Sequence, residues 1–242
     1  MVSGDVEINF DPSVVIKHPT LAALALEVIG TASQGEANFA RLVSALTHGK
    51  SKPVLDYYLS LKNDAPKAAV VEALAASTLE PARLELFRAV AKYHQSTILP
   101  RQPIAHGIWA DTDKLPDALL LINPRDLMAN LGRMDPAVQK SIAAYKANDA
   151  KALAEAILEI NVLNKDITPK VQVYREKDFK DIIRDLRRGN ALVSELHDVN
   201  RWDSVSTAEA EKLAQTLSQQ PELVSLIEAR RRAEKDKPQE TQ

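Results

Sequence analysis

Nine residues, Arg101-Gln-Pro-Ile-Ala-His106-Gly-Ile-Trp109, bring a guanidinium, an imidazole, a glycine and a tryptophan together. Nowhere else in the chain do these types crowd so closely. Histidine changes charge near neutrality, so it can move a proton. Arginine stays charged and offers a planar fork of donors to an oxyanion. Any chemistry is expected here. The chain has no cysteine, which excludes disulfides, thiolate catalysis and cysteine-ligated zinc. It has no Gly-rich phosphate loop, no dinucleotide fingerprint, no His-Glu-x-x-His and no nucleophile elbow. The histidines, at 18, 48, 94, 106 and 197, are scattered, so no metal site can be read from their spacing. Neither metal nor cofactor is expected.

Five residues along an α-helix turn through about 500°, leaving Arg101 and His106 about 140° apart. One regular helix would not aim both at one point. Pro103 predicts a helix start at Gln102, with Arg101 just outside. Convergence is easier across a two-fold axis, where each copy contributes the same segment.

The rest of the chain must position this stretch. Of its 242 residues, 45% are hydrophobic but only 5% aromatic, and 7 are glycine. That favours helices over a sandwich or barrel. The expected fold is mainly all-α: an antiparallel helical bundle with a small hairpin or short sheet after the Arg101–His106 segment. Net charge is −2 and the pI is near 6.2, so any nucleic-acid contact must use a local basic patch. No basic-then-apolar leader and no membrane-length apolar run occurs, so a cytoplasmic location is expected.

Residues 1–19 read as an arm punctuated by Pro12 and Pro19. A helix from Thr20 is expected to end near Gly30. Ser33-Gln-Gly-Glu36 matches a capping box opening a second helix, with Phe39, Leu42, Val43 and Leu46 on one face, ending near His48 and Gly49. Pro53 opens a short helix, and Asn63 or Asp64 caps the next. Ser77-Thr-Leu-Glu80 looks like another capping box, and Pro100 closes the helix beyond it. Ala118–Ile122 reads as a strand pairing with Ile108–Trp109, and Val171–Tyr174 as a third strand. Residues 125–165 read as a helical insertion, with helices starting at Asp135-Pro136 and at Asp149. One long helix is expected from about 178 to 200, capped by Asp178. Thr207 opens another, interrupted at Pro221, before a charged tail. The implied organisation is an arm (1–19), a helical domain (20–202) containing the insertion, and a C-terminal helix with tail (203–242).

The spacing Arg101-x4-His106, continued by Gly107 and Trp109, resembles the motif of the HEPN superfamily (higher eukaryotes and prokaryotes nucleotide-binding). In such proteins a helical bundle precedes the Arg/His segment and a further helix completes it. The resemblance implies a homodimeric, metal-independent endoribonuclease, such as a toxin or defence effector with a protein antitoxin. His106 would move the proton and Arg101 would hold the phosphate. Attack by the ribose 2′-hydroxyl would leave a 2′,3′-cyclic phosphate. Gln102 stands where the family usually carries a polar residue, frequently asparagine, and Pro103 stiffens the backbone after it. Further candidate substrate contacts are Gln102, Trp109, Arg184, Arg187 and Arg188. Trp109 suits a core strand better than base stacking. The arginines of 184–188 alternate with Asp181 and Asp185, which favours a salt-bridged face over an RNA track. The alternative reading is a catalytically silent HEPN-like module for protein interaction or nucleotide binding.

Overall fold

The computed structural model describes residues 8–10, 13–47, 52–203 and 206–235. In chain order the elements are α1 (Val14–Lys17), α2 (Pro19–Leu46), α3 (Lys52–Ser60), α4 (Asp64–Thr78), α5 (Pro81–Ile98), α6 (Arg101–His106), β1 (Ile108–Ala110), β2 (Ala118–Ile122), α7 (Pro124–Lys146), α8 (Ala150–Lys165), β3 (Gln172–Arg175), α9 (Glu176–Asp203), α10 (Thr207–Ser218) and α11 (Pro221–Lys235). The protein is mainly α-helical, with one small antiparallel sheet. The expected helix end at His48 and Gly49, residues 1–7 and 11–12 of the arm and the last residues of the tail lie outside the described residues.

The chain forms two compact units. Unit 1 comprises residues 1–29 and 100–181, and unit 2 comprises 30–99 and 182–242. Unit 1 is built on the sheet, ordered β1-β2-β3. Ile108 faces Ile122 and Trp109 faces Leu121, while Leu119 faces Tyr174. All five residues of β2 are buried, as suits an apolar central strand covered on both faces. The first two strands fall where they are expected, and the third lies one residue beyond the expected Val171–Tyr174. Between β2 and β3 the chain makes the helical hairpin α7–α8, whose helices pack on each other. Unit 2 is a helical assembly around Leu42, Leu46, Phe87, Val90, Leu192, Leu196, Leu217 and Leu223. Along α2 and α9 the buried positions recur at three- and four-residue steps, so each turns one stripe inward.

Several helix ends differ from the sequence expectation. There is no break at Gly30: α2 runs on to Leu46, and the Ser33–Glu36 capping box lies inside it. Buried Leu21, Ala25, Val28, Ala32, Gly35, Asn38 and Leu42 continue one stripe through Gly30, and that packing outweighs local capping chemistry. Nor does Ser77 cap a helix. It lies in the last turn of α4 and its hydroxyl donates to the Leu74 carbonyl. The cap residue of α5 is Glu80, because Pro81 holds Glu80 extended and takes the first helical position. Pro136 does not start a helix. α7 begins at Pro124, where the Asn123 side chain accepts from the Arg125 N–H, and Pro136 sits inside. Buried Asn130, Ala137 and Ala144 carry the helix past the proline.

Other signals fall as read. Asp149 accepts from the N–H groups of Lys151 and Ala152 at the head of α8. The long helix is single and continues through Gly189, but it starts at Glu176 rather than being capped by Asp178, which lies in its first turn and accepts from the Arg175 N–H at 2.8 Å. Pro221 opens α11 after the turn that ends α10.

Candidate functional site

The six residues of α6 carry Arg101 first and His106 last. Arg101 is inside the helix rather than outside it. Pro103 falls at the third position, where no intrahelical N–H is owed, so its ring costs the helix nothing there. Ile104, 1% exposed, anchors α6 in the core of unit 1. Arg101 is half-buried, while Gln102 and His106 are exposed. The separation of about 140° on the wheel therefore stands within one chain.

The turn after His106 is tightly held. Gly107 leaves the helix with extended backbone (φ −71°, ψ 153°), and its N–H donates to the Pro103 carbonyl at 2.8 Å. A Cβ at Gly107 would run into that same carbonyl oxygen and touch Leu121, so close approach requires glycine here. The indole N–H of Trp109 donates to the Ile104 carbonyl at 3.2 Å, tying β1 back to α6. Trp109 is half-buried and paired with Leu121, as a strand residue at the edge of a core should be.

A neighbouring group in unit 1 is not visible in the sequence pattern, where Asp111 reads as a turn residue. Asp111 is 8% exposed and makes an isolated β-bridge with Asn9. Its Oδ2 lies 3.0 Å from Lys17 Nζ and 3.8 Å from His18 Nε2, while its buried Oδ1 has no hydrogen-bond partner. Only the alternation Trp109–Asp111 along the strand could have pointed to it.

Unit 2 holds the candidate arginines. Arg188 is engaged: its Nε and Nη2 donate to the two carboxylate oxygens of Glu222 at 2.9 and 3.1 Å, and Nη2 also reaches Gln220 at 2.8 Å. The hydrogen bond from Arg188 holds the Glu222 carboxyl below its usual range. Arg184 is exposed and pairs with Asp185, and Arg187 is exposed. Arg231 forms a two-pronged pair with Glu85. Arg101, Gln102, His106 and Trp109 are thus gathered in unit 1, and the three arginines on α9 in unit 2.

Unit 2 also contains a buried polar network. His94 Nε2 lies 3.3 Å from Asn190 Oδ1, and Asn190 Nδ2 donates to the Thr31 carbonyl at 2.8 Å. Because the amide N–H is used there, Oδ1 faces the ring, and the imidazole carries its proton on Nε2. Asn38 donates to the Asn190 carbonyl, and Phe39 meets the ring edge-on at 4.7 Å. Burial strips water from the imidazolium and pushes the His94 pKa down to about 4, against the opposing hydrogen bond to Asn190. A Cβ on Gly35 would strike Asn190 Oδ1 and His94 Nε2.

Among the described residues no group of three or more His, Asp or Glu is placed to hold a metal ion, and no helix is long and apolar enough to cross a membrane. Compared with models of protein families, with curated proteins and with solved structures, the chain matches none.

Proposed function

We propose that this protein is a HEPN-like, metal-independent endoribonuclease acting as a homodimer. The observation that carries the reading is the placement of Arg101 and His106 at opposite ends of one short, anchored helix, with the imidazole open to solvent. His106 takes the proton from a ribose 2′-hydroxyl. The 2′-oxygen bonds to phosphorus, the bond to the 5′-oxygen breaks, and that oxygen receives a proton from the imidazolium of the second copy or from water. The product is a 2′,3′-cyclic phosphate. Arg101 of one copy holds the non-bridging oxygens through paired charge-assisted hydrogen bonds. The wheel separation within a chain is what calls for two copies. The Gly107 and Trp109 hydrogen bonds fix the backbone that carries the imidazole, as preorganised catalysis demands. Toxicity in the host cell, relieved by a protein antitoxin, fits an enzyme of this class.

Purified protein incubated with RNA and excess chelator tests the reading. Cleavage with cyclic-phosphate ends is expected, and Arg101→Ala and His106→Ala should each lower it by about 10²–10⁴-fold. Intact RNA in the presence of folded, dimeric wild type would count against it.

The second reading, a silent helical module that binds another protein, draws on the engagement of Arg188 with Glu222 and of Arg231 with Glu85. Those guanidiniums already have carboxylate partners, so a phosphate would have to displace them. Inactive wild type that forms a stoichiometric complex with one protein would favour it.

A further inference from the structure

We propose that the outer face of α7 is a contact surface for a second copy of this chain, packed antiparallel about a two-fold axis near residue 140. The inference stands apart from the nuclease reading and would hold for an inactive protein.

Within the α7–α8 hairpin, buried Asn130, Ala137 and Ala144 recur every seven residues along α7. Two ion pairs tie α7 to α8 and the turn beyond it, Lys140 to Glu159 at 2.9 Å and Arg133 to Asp166 at 3.2 Å. On a helical wheel Arg133 and Lys140 fall to one flank of that buried line. The other flank is different. Met128, Leu131, Asp135, Val138, Ile142 and Tyr145 succeed one another at spacings of 3, 4, 3, 4 and 3 residues. That is the spacing of a coiled-coil seam. Yet Met128 is 64% exposed, Tyr145 75% and Leu131 46%, so the seam is left open to solvent. Aligned apolar side chains in water mark a contact surface.

Charge selects the occupant and its direction. Asp135 and Lys146 are exposed, and neither makes an ion pair among the described residues. They are eleven residues apart, which places them within about 20° of each other on the wheel. A parallel pair of α7 helices would set Asp135 against Asp135, which is repulsive. An antiparallel pair with its axis at residue 140 sets Asp135 opposite Tyr145 of the other copy, with Lys146 beside it. The phenol and the ammonium can both donate to the carboxylate. The same axis sets Val138 opposite Ile142. A two-fold perpendicular to both helices returns each flank to itself, so the contacts of Asp135 with Tyr145 and Lys146 and the contact of Val138 with Ile142 each form twice at once. The self-complementary register argues for a second copy over a foreign helix.

Sedimentation of the full chain over a range of concentrations tests this. The wild type should dimerise. Ile142→Asp should yield monomer with unchanged circular dichroism. Asp135→Lys and Lys146→Asp should each weaken the dimer about tenfold through like-charge contacts. The double variant, with the charges exchanged, should return it to near wild type. A monomeric wild type at every concentration would overturn the proposal, as would an Ile142→Asp dimer of undiminished affinity or a double variant no tighter than the singles. A wild-type monomer that binds a different protein through Ile142 would also overturn it. RNA cleavage, measured on the same samples, reports separately on the nuclease reading.

Discussion

In unit 2, His94 sits mid-helix in α5, 3% exposed, with Asn190 against its ring. In unit 1, His106 ends the six-residue α6, exposed, with Gly107 turning the chain away. Twelve residues separate two identical side chains. One lies among closely packed helices, where its neighbours leave a single neutral tautomer. The other lies exposed where a helix stops, next to a backbone held by the Gly107 N–H bond to the Pro103 carbonyl. Burial therefore makes His94 a structural group that resists charge, whereas the end of α6 leaves His106 open to solvent.

The widest contrast should appear on substitution. His106→Ala is expected to lower RNA cleavage by about 10²–10⁴-fold while melting changes little. His94→Gln should do the reverse, lowering stability while leaving the cleavage rate of the remaining folded protein near wild type. Equal effects on both readouts from either variant would erase the distinction between the two sites.

Acid should separate them next. The folded pKa of His94, about 4, lies below the unfolded value of 6.5. Between these values the unfolded chain binds a proton that the folded chain refuses, so stability falls as pH drops from about 6.5 to about 4 and this contribution is flat outside that window. Its size is about 3 kcal/mol. Denaturant unfolding at pH 7 and pH 4 should show it, and His94→Gln should remove that part of the difference. An unchanged pH slope in the variant would mean His94 is not the group responsible.

The two glycines sharpen the comparison further. Gly35→Ala would push a methyl against the ends of Asn190 and His94, whereas Gly107→Ala would push one against the Pro103 carbonyl. Each should cost about 1–3 kcal/mol by overpacking. The first should leave cleavage intact in the folded protein. The second should also slow it, because it moves the backbone that carries His106. Thermal melts beside single-turnover cleavage distinguish the two.

Much of this is legible in the sequence, for reasons that differ by element. The strands are readable because Ala118–Ile122 is a short apolar run bounded by turn residues, and α9 because its apolar positions never lose phase across Gly189. Gly30 and the Ser33–Glu36 box mislead because capping chemistry is local while the stripe from Leu21 to Leu42 is set by packing. Pro136 misleads for the same reason. At the candidate site, the 140° separation comes from spacing alone. The hydrogen bond from Trp109 to Ile104 does not, since it joins a strand residue to a helix carbonyl through a turn whose geometry depends on Leu121 approaching Gly107. Asp111 beside Lys17 and His18 is hidden because the pairing spans 94 residues.

That Trp109 bond offers the finest distinction between a packed and a functional tryptophan. Trp109→Phe keeps the aromatic bulk against the sheet but removes the donor to the Ile104 carbonyl. A lost hydrogen bond of this kind costs about 1 kcal/mol. If Trp109 only packs, the melting temperature should drop slightly and cleavage per folded molecule should stay put. If the bond steadies the end of α6, cleavage should fall a few-fold as well, and the fall should be absent when His106 is already alanine. Stacking of the indole on a base would instead raise the RNA concentration needed for half-maximal rate in Trp109→Ala, while Trp109→Phe preserved it. The pair of variants therefore separates support of the helix from contact with the substrate, because only the first depends on the indole N–H.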